Sequence, residues 1–119
     1  MAQKAWTPVL IYEPARKELL NWPMALKKDL GSILTKLQKG EAVGYPDTDT
    51  MKTVAPGCRE IRLKGPDGIY RAFYVIDTGH GILVFHCFQK KTQKTPKSEI
   101  ETGQKRLKTF LRELEDEEK

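Results

Sequence analysis

Basic residues recur in and just after predicted strands in the middle of this sequence, and they are its best candidates for chemistry. Arg62 and Arg71 lie in two neighbouring strands, and a third strand leads into a turn rich in lysine. Because adjacent antiparallel strands can bring their side chains to one end of a sheet, these cations can converge on one anionic ligand. Such a cluster suits a phosphodiester, whose transition state develops negative charge that fixed cations stabilise. The predicted cluster consists of Arg62, Arg71, Lys90, Lys91 and Lys94.

The lysine-rich turn has no acidic residue to offset its charge. Four lysines lie in the stretch from Phe88 to Lys97, counting Lys97 itself. The surrounding segment 58–97 has eight Lys and Arg against three Asp and Glu, a net charge of +5 that equals that of the whole chain. A basic excess confined to one segment indicates a surface that faces a polyanion, although a merely solvated basic face would have the same composition.

Of the possible polyanions, RNA requires the fewest catalytic groups from such a site. Its own 2′-hydroxyl is the nucleophile, so an enzyme need only orient that group and stabilise charge, and a histidine or glutamate base would help without being required. His86, in an apolar strand, is the candidate acid or base, with a hydrogen-bonded structural histidine as the alternative. His80, in a turn between two glycines, is predicted to be exposed and without a role.

Other catalytic classes lack their motifs in this sequence. There is no P-loop, no GxSxG, no HExxH and no dinucleotide fingerprint, and two histidines cannot build a zinc site without distant carboxylates. Cys58 and Cys87 have no metal-ligand spacing and are predicted to be buried thiols, or at most neighbours on adjacent strands. We therefore expect no metal and no cofactor.

Two helices are predicted before the basic segment. An apolar strand at residues 9–12 leads into a helix that starts near Pro14 and breaks before Pro23, since the residue before proline avoids the helical conformation. A second helix carries one apolar stripe at helical spacing and stops near Gly40. The stripe consists of Leu26, Leu30, Ile33, Leu34 and Leu37. The two helices are predicted to form a hairpin that serves as scaffold.

Three strands between residues 59 and 88 are predicted to position the basic side chains. Two short turns join them, which indicates an antiparallel meander. In the first strand, Glu60, Arg62 and Lys64 are predicted to point outward. Arg71 lies in an otherwise apolar strand and requires a carboxylate, an aromatic face or a ligand. An internal ion pair and a phosphate ligand both fit Arg71 at this point.

The remaining segments complete one predicted domain of 119 residues. Residues 41–57 read as a loop, Thr95 and Pro96 as the cap and first residue of a C-terminal helix, and residues 113–119 as a frayed acidic tail. The predicted fold is α+β, with an N-terminal strand and two-helix hairpin packed on a twisted antiparallel sheet, and a C-terminal helix. No apolar run is long enough for a membrane helix and no signal-peptide core is present, so a cytoplasmic location is expected.

The basic segment and its flanks contain five sequence phrases that are similar to those of a known protein family. The phrases are Cys58-Arg59-Glu60-Ile61-Arg62-Leu63, Gly68-Ile69-Tyr70-Arg71-Ala72-Phe73-Tyr74, Phe88-Gln89-Lys90-Lys91-Thr92-Gln93-Lys94-Thr95-Pro96, Glu99-Ile100-Glu101 and Lys105-Arg106-Leu107. Together they resemble the RelE/ParE toxin superfamily, and within it the phage-derived HigB-like subgroup. The resemblance spans residues 8–112 and implies a RelE-like fold.

The resemblance also implies roles for individual residues. Arg62, Arg71 and Lys91 match basic positions that contact or activate the scissile phosphate in relatives. Glu60 stands where RelE has a lysine that serves in proton transfer, and no clear counterpart of RelE's late catalytic tyrosine is found, so either Lys94 or His86 compensates or the chemistry differs. The lysines expected to hold the RNA backbone are Lys64, Lys90, Lys94 and Lys97.

The function that the resemblance implies is that of a toxin in a type II toxin–antitoxin system. In the RelE and HigB branches the activity is ribosome-dependent cleavage of mRNA, so the expected partners are the ribosome, mRNA and a cognate antitoxin, such as a helix-turn-helix protein. ParE members poison DNA gyrase instead. The competing hypothesis is therefore a toxin that binds gyrase without cutting RNA, or a phage-derived binding adaptor, because a shared fold does not settle function.

Overall fold

The computed structural model describes residues 6–90 and 94–118 of the chain. Within these residues the chain forms five strands and three helices and confirms the predicted α+β class. In chain order they are β1 (Val9–Ile11), α1 (Glu13–Leu20), α2 (Met24–Gln38), β2 (Thr48–Thr50), β3 (Arg59–Gly65), β4 (Gly68–Asp77), β5 (Gly81–Lys90) and α3 (Lys97–Glu117).

The strands form one sheet in the order β1-β5-β4-β3-β2. The predicted meander of β3, β4 and β5 is confirmed, and all of its pairings are antiparallel. At one edge β1 pairs with β5 in parallel, with Leu10 opposite Leu83, so the complete sheet is mixed. Parallel pairing is available here because α1 and α2 lie between β1 and the meander and carry the chain back across the sheet.

The sequence suggested a loop for the whole of segment 41–57, but part of this segment is a strand. Its residues Thr48–Thr50 form the edge strand β2, which pairs antiparallel with β3. Thr48 is fully buried there and donates its hydroxyl to the carbonyl of Val43 at 2.6 Å. The segment is thereby attached to the sheet close to Arg62, whose backbone N–H donates to the carbonyl of Asp47 at 2.8 Å.

The hairpin of α1 and α2 covers one face of the sheet. All five residues of the predicted apolar stripe on α2 are buried, which confirms that part of the interpretation. They pack with side chains such as Ile61, Ala72 and Tyr74 from β3 and β4. The helix ends where Gly40 adopts a φ of 82° and its N–H bonds to the carbonyl of Leu37, a conformation that glycine adopts at little cost.

Helix α3 covers the opposite face. Leu107, Phe110 and Leu114 pack against Phe73 and Phe85 of the sheet. Gly103 lies so close to the sheet that an added Cβ would approach Phe73 Cδ2 to 2.9 Å. Both faces of the meander are therefore covered, and a side chain that points away from α2 is not automatically exposed to water.

Two details of α3 differ from the sequence-based predictions. The helix begins at Lys97 after Pro96, and no side chain caps it; the Thr95 hydroxyl instead accepts a hydrogen bond from Lys90 Nζ at 3.3 Å. The acidic tail is helical through Glu117 because Leu114 is buried and Glu118 bonds to His80. Among the described residues, no helix is long and apolar enough to cross a membrane.

Candidate phosphate site

Arg62 and Arg71 lie directly opposite each other on β3 and β4. Two cations in such a pair repel each other unless an anion lies between them. Glu60 supplies that anion: its Oε1 accepts a hydrogen bond from Arg71 Nη1 and lies 3.7 Å from Arg62 Nε. A second carboxylate, that of Asp49 on β2, lies 3.6 Å from Arg62 Nη1. Both predicted arginines are thus brought together, and Glu60 bridges them.

The ion pair of Glu60 and Arg71 is buried. Arg71 is 1% exposed and Glu60 is 5% exposed, since both lie on the face of the sheet that α3 covers. Burial lowers the pKa of Arg71; the charge of Glu60 opposes that shift, and the nearby charge of Arg62 adds to it. An arginine remains protonated under any such shift. Of the two interpretations of Arg71, the structure shows the internal ion pair.

Not every polar atom of this pair is satisfied. Within the described part of the chain, Glu60 Oε2 and Arg71 Nε are buried and have no hydrogen-bond partner. An unsatisfied buried polar group costs about 1–3 kcal/mol, so the arrangement is not the most stable one available to this sheet. Buried groups that retain unused hydrogen-bonding capacity commonly mark functional sites.

Arg62 is the part of the cluster that solvent reaches. Its side chain is 25% exposed, and it lines a cleft of about 630 Å³ together with Arg71 and Lys64. The opposite wall of the cleft comes from α2 and from the segment before β2, and includes Asp29, Ser32 and Tyr45. A ligand in the cleft would therefore reach the partly exposed Arg62, whereas Arg71 also lines the cleft but is 1% exposed.

The predicted lysines have different surroundings. Lys90 is 4% exposed, and burial together with the positive charges of Arg71 and Arg62 lowers its pKa against the opposing effect of Glu60. Its position under the protein surface corrects the expectation that it grips an RNA backbone from outside. Lys64, Lys94 and Lys97 are exposed, as predicted for that role. The prediction for Lys91 lies outside the described residues.

His86 belongs to a different cluster from the arginines. It is 2% exposed and stacks on Phe88, with ring centroids 4.8 Å apart. Arg106 donates to its Nδ1 at 2.9 Å, so the ring proton is on Nε2, which donates to Glu99 at 3.1 Å. With both ring nitrogens engaged, the geometry favours the structural histidine over the acid–base role.

The partner of Arg106 completes this second cluster. Glu18 on α1 accepts from the Arg106 guanidinium in bidentate fashion, at 2.7 and 3.1 Å. Burial alone would raise the pKa of Glu18, but the adjacent His86 ring, the hydrogen bonds from Arg106 and the backbone N–H of Cys87 lower it to about 2. The cluster ties α1, β5 and α3 together and has the character of a structural brace.

The remaining histidine and the two cysteines have structural surroundings. His80 was expected to be idle, but its ring nitrogens contact Asp77 and Glu118, and the hydrogen bond to Asp77 is the largest cause of its raised pKa. Cys58 and Cys87 are free and buried, as predicted, and burial raises the pKa of each thiol to about 12. Thiols of this kind are not nucleophiles at neutral pH. In the described residues, no group of three or more His, Cys, Asp and Glu side chains could hold a metal ion.

The comparison with solved structures identifies the fold. The structure of a mutant E. coli toxin RelE in the free state superimposes with a TM-score of 0.60 over 89% of this chain and 98% of RelE, at 17% sequence identity. The fold is therefore that of the RelE toxins. A sequence model of the family described as "Phage derived protein Gp49-like" matches residues 17–108. The chain belongs to this phage-derived family of RelE/HigB-type toxins, and the predicted superfamily is confirmed. No curated protein matches the sequence.

Two residues of the site were not found from the sequence. Glu60 was taken for an outward-facing surface residue because it alternates with Ile61, and nothing in that pattern reports that α3 covers the other face. Tyr45 was passed over because it lies in an aperiodic segment, although it lines the same cleft as Arg62. A buried arginine in β4 was itself a signal that a carboxylate must lie on a neighbouring strand.

Proposed function

We propose that this protein is the toxin of a type II toxin–antitoxin system and that it cleaves mRNA on the ribosome. Its membership of a RelE/HigB-type toxin family supports the toxin part of the proposal. The single observation that carries the nuclease part is the pair of arginines on β3 and β4, fixed by Glu60 at the edge of an open cleft. Cations held in place before the substrate arrives are what phosphodiester cleavage requires.

The proposed reaction uses the nucleophile of the RNA itself. The 2′-hydroxyl attacks the adjacent phosphorus, the bond to the 5′-oxygen of the next nucleotide breaks, and a 2′,3′-cyclic phosphate and a 5′-hydroxyl are formed. Arg62 contacts the phosphate oxygens, Arg71 adds positive charge from beneath, and Lys91 is the third proposed catalytic cation. A proton leaves the 2′-hydroxyl and one joins the departing oxygen, with water as a sufficient carrier for both.

The surrounding lysines are proposed to hold the RNA. Exposed ammonium groups come from Lys64 at the cleft and from Lys94 and Lys97 at the start of α3. The buried Lys90 adds to the positive electrostatic potential of this surface. Such contacts depend on the release of counterions and weaken steeply with salt. The same surface is the proposed binding site of a cognate antitoxin, because an acidic segment there would neutralise the charge and exclude RNA.

The experiment compares cleavage by two variants that differ only in where an arginine is lost. Arg62→Ala removes the partly exposed arginine of the cleft, and Arg112→Ala removes an exposed arginine from the far part of α3. On ribosomes programmed with a short mRNA, Arg62→Ala should cut about 100-fold more slowly or worse, as for the loss of one transition-state donor. Arg112→Ala should cut at the wild-type rate.

A substrate control separates the chemistry from binding. An mRNA with a single 2′-deoxynucleotide at the cut site should remain intact with the wild-type protein, because the nucleophile is missing. In cells, primer extension after brief induction should show breaks within codons, and Lys91→Ala should relieve growth arrest. Intact transcripts together with a DNA-damage response would contradict the nuclease and support a gyrase-directed toxin.

A further inference from the structure

Tyr45 is a large aromatic side chain that the protein leaves in solvent beside the cationic cleft. It is 76% exposed, whereas aromatic rings of the core such as Phe73 and Phe85 are fully buried. It lies in the segment between α2 and β2 and lines the cleft together with Arg62, Lys64 and Arg71. What distinguishes this ring from other exposed apolar side chains is its place beside the cationic cleft, where a flat aromatic ligand could cover it.

The backbone on both sides of Tyr45 is attached to the fold. Before it, the carbonyls of Val43 and Gly44 accept hydrogen bonds from the hydroxyl and the N–H of Thr48. After it, the carbonyl of Asp47 accepts from the N–H of Arg62 at 2.8 Å. These three hydrogen bonds hold the backbone on both sides of Tyr45 next to β3. A ring carried on a fixed backbone has only its side-chain freedom to lose when a ligand stacks on it.

The position of the ring relative to Arg62 suits one nucleotide. The guanidinium of Arg62 lies over one face of the Tyr45 ring in a cation–π contact, with its central carbon 5.8 Å from the ring centroid, so a base would stack on the other face. Proteins that bind single-stranded nucleic acid combine a basic groove for the backbone with an aromatic side chain on which a base stacks. Here the cation and the ring are neighbours in one cleft, so a phosphate at Arg62 would bring its attached base towards Tyr45.

The charges in the cleft favour a base over a second phosphate at the ring. Asp29 and Asp47 also line this cleft, and their carboxylates would repel a further anion. A neutral base with amino groups can donate to such carboxylates. The ring, the partly exposed Arg62 and the two carboxylates therefore match the parts of one nucleotide: its base, its phosphate and the amino groups of the base.

We infer that Tyr45 is the stacking platform for one base of the RNA whose phosphate lies at Arg62 and Arg71. The inference rests on the proposed function and adds a subsite for the nucleobase next to the phosphate site. The base that stacks belongs to the cut nucleotide or to its immediate neighbour, since the ring and the guanidinium are less than 6 Å apart. Tyr45 is thus a binding and positioning residue for the substrate.

The test measures cleavage of ribosome-bound mRNA as a function of toxin concentration under single-turnover conditions. Tyr45→Ala should raise the half-saturating concentration about 10-fold or more, the usual effect of removing a stacked aromatic side chain. Tyr45→Phe should restore wild-type behaviour, because stacking needs the ring and not the hydroxyl. Ile76→Ala is the matched control: it trims an apolar side chain that is 59% exposed on β4 and should change nothing. Equal unfolding midpoints in urea should show that all three variants are folded.

Abasic substitutions in the mRNA identify the stacked base. Removing one base at a time around the cut site should weaken cleavage by the wild-type protein at one position, and the same substitution should have no further effect on Tyr45→Ala. The inference is overturned if Tyr45→Ala matches the wild type, or if the two losses multiply. It is also overturned if Tyr45→Ala loses only its affinity for antitoxin, which would make the ring a protein-docking group. A wild-type protein that cuts no RNA would instead refute the proposed function itself.

Discussion

Removing Glu60 should cost more stability than removing Arg71, although the two side chains form one buried ion pair. Each variant leaves one charged group behind, and the structure gives those two groups different surroundings. After Arg71→Met, Glu60 still lies 3.7 Å from the Arg62 guanidinium and keeps a counterion. After Glu60→Gln, Arg71 has no other carboxylate within ion-pairing distance among the described residues. Glu60→Gln, which leaves a buried cation without a carboxylate, should therefore be the less stable variant.

The magnitude follows from the burial of the pair. Leaving one charge of a buried pair without its partner costs about 3–5 kcal/mol. Glu60→Gln should lie near the lower end, about 3 kcal/mol, because a glutamine oxygen still accepts a hydrogen bond from Arg71. Arg71→Met should cost about 2 kcal/mol, since Arg62 compensates part of the charge. The double variant should cost less than the two losses added together, with a coupling free energy of about 2 kcal/mol.

Equilibrium unfolding in urea measures all four proteins of this cycle. With a urea dependence of about 2 kcal/mol per M, the Glu60→Gln midpoint should fall by about 1.5 M and that of Arg71→Met by about 1 M. Arg16→Met is the control, because its ion pair with Glu13 lies on the surface and should contribute nothing measurable. The reasoning is refuted if Arg71→Met is the more damaging variant, or if the two losses are additive.

Two further predictions concern the brace around Glu18 and the contact of α3 with the sheet. The pKa of Glu18 falls from 4.5 to about 2 on folding, so its contribution to stability is present above pH 4.5 and lost as pH falls towards 2. Glu18→Gln should therefore flatten the acid dependence of the free energy of unfolding, measured by urea titration at several pH values. Glu41→Gln, a substitution at an exposed position, should leave that dependence unchanged. Gly103→Ala should destabilise by about 1–3 kcal/mol, because the added Cβ would lie 2.9 Å from Phe73, whereas Gly31→Ala in α2 meets nothing within 4 Å and should stabilise by up to about 1 kcal/mol. Equal effects of the two glycine substitutions would contradict the close approach.

The elements with a strong period were predictable from the sequence. The stripe of α2 recurs at helical spacing from Leu26 to Leu37, and the helix is bounded by Pro23 and Gly40, so local chemistry determines it almost completely. The meander was predictable for a related reason, since β3 alternates apolar and charged residues, β4 and β5 are mostly apolar, and the turns between them are short. Both kinds of signal act between residues that are close in sequence.

Features that depend on distant parts of the chain could not be predicted in the same way. The strand β2 has three polar residues, Thr48–Thr50, and exists because β3 offers it an edge to pair with. Lys90 is buried because the start of α3 closes over the end of β5, where Thr95 accepts its hydrogen bond. The tail is helical because Leu114 is buried in the core and Glu118 forms a hydrogen bond with His80. In each case the deciding partner is remote in sequence.

The candidate site shows the same division. The arginines were found because a guanidinium in an apolar strand demands an explanation, whereas Glu60 was missed because an acid that alternates with apolar residues looks like ordinary surface. The burial of Glu60 matters for the proposed reaction, because it determines how Arg71 is held. A cation on a flexible side chain must be ordered when the phosphate arrives, but Arg71 is already fixed by Glu60 and by the helix above it. In the proposed reaction, the stability given up at Glu60 Oε2 and Arg71 Nε would be the cost of a positive charge that needs no rearrangement when the RNA is cut.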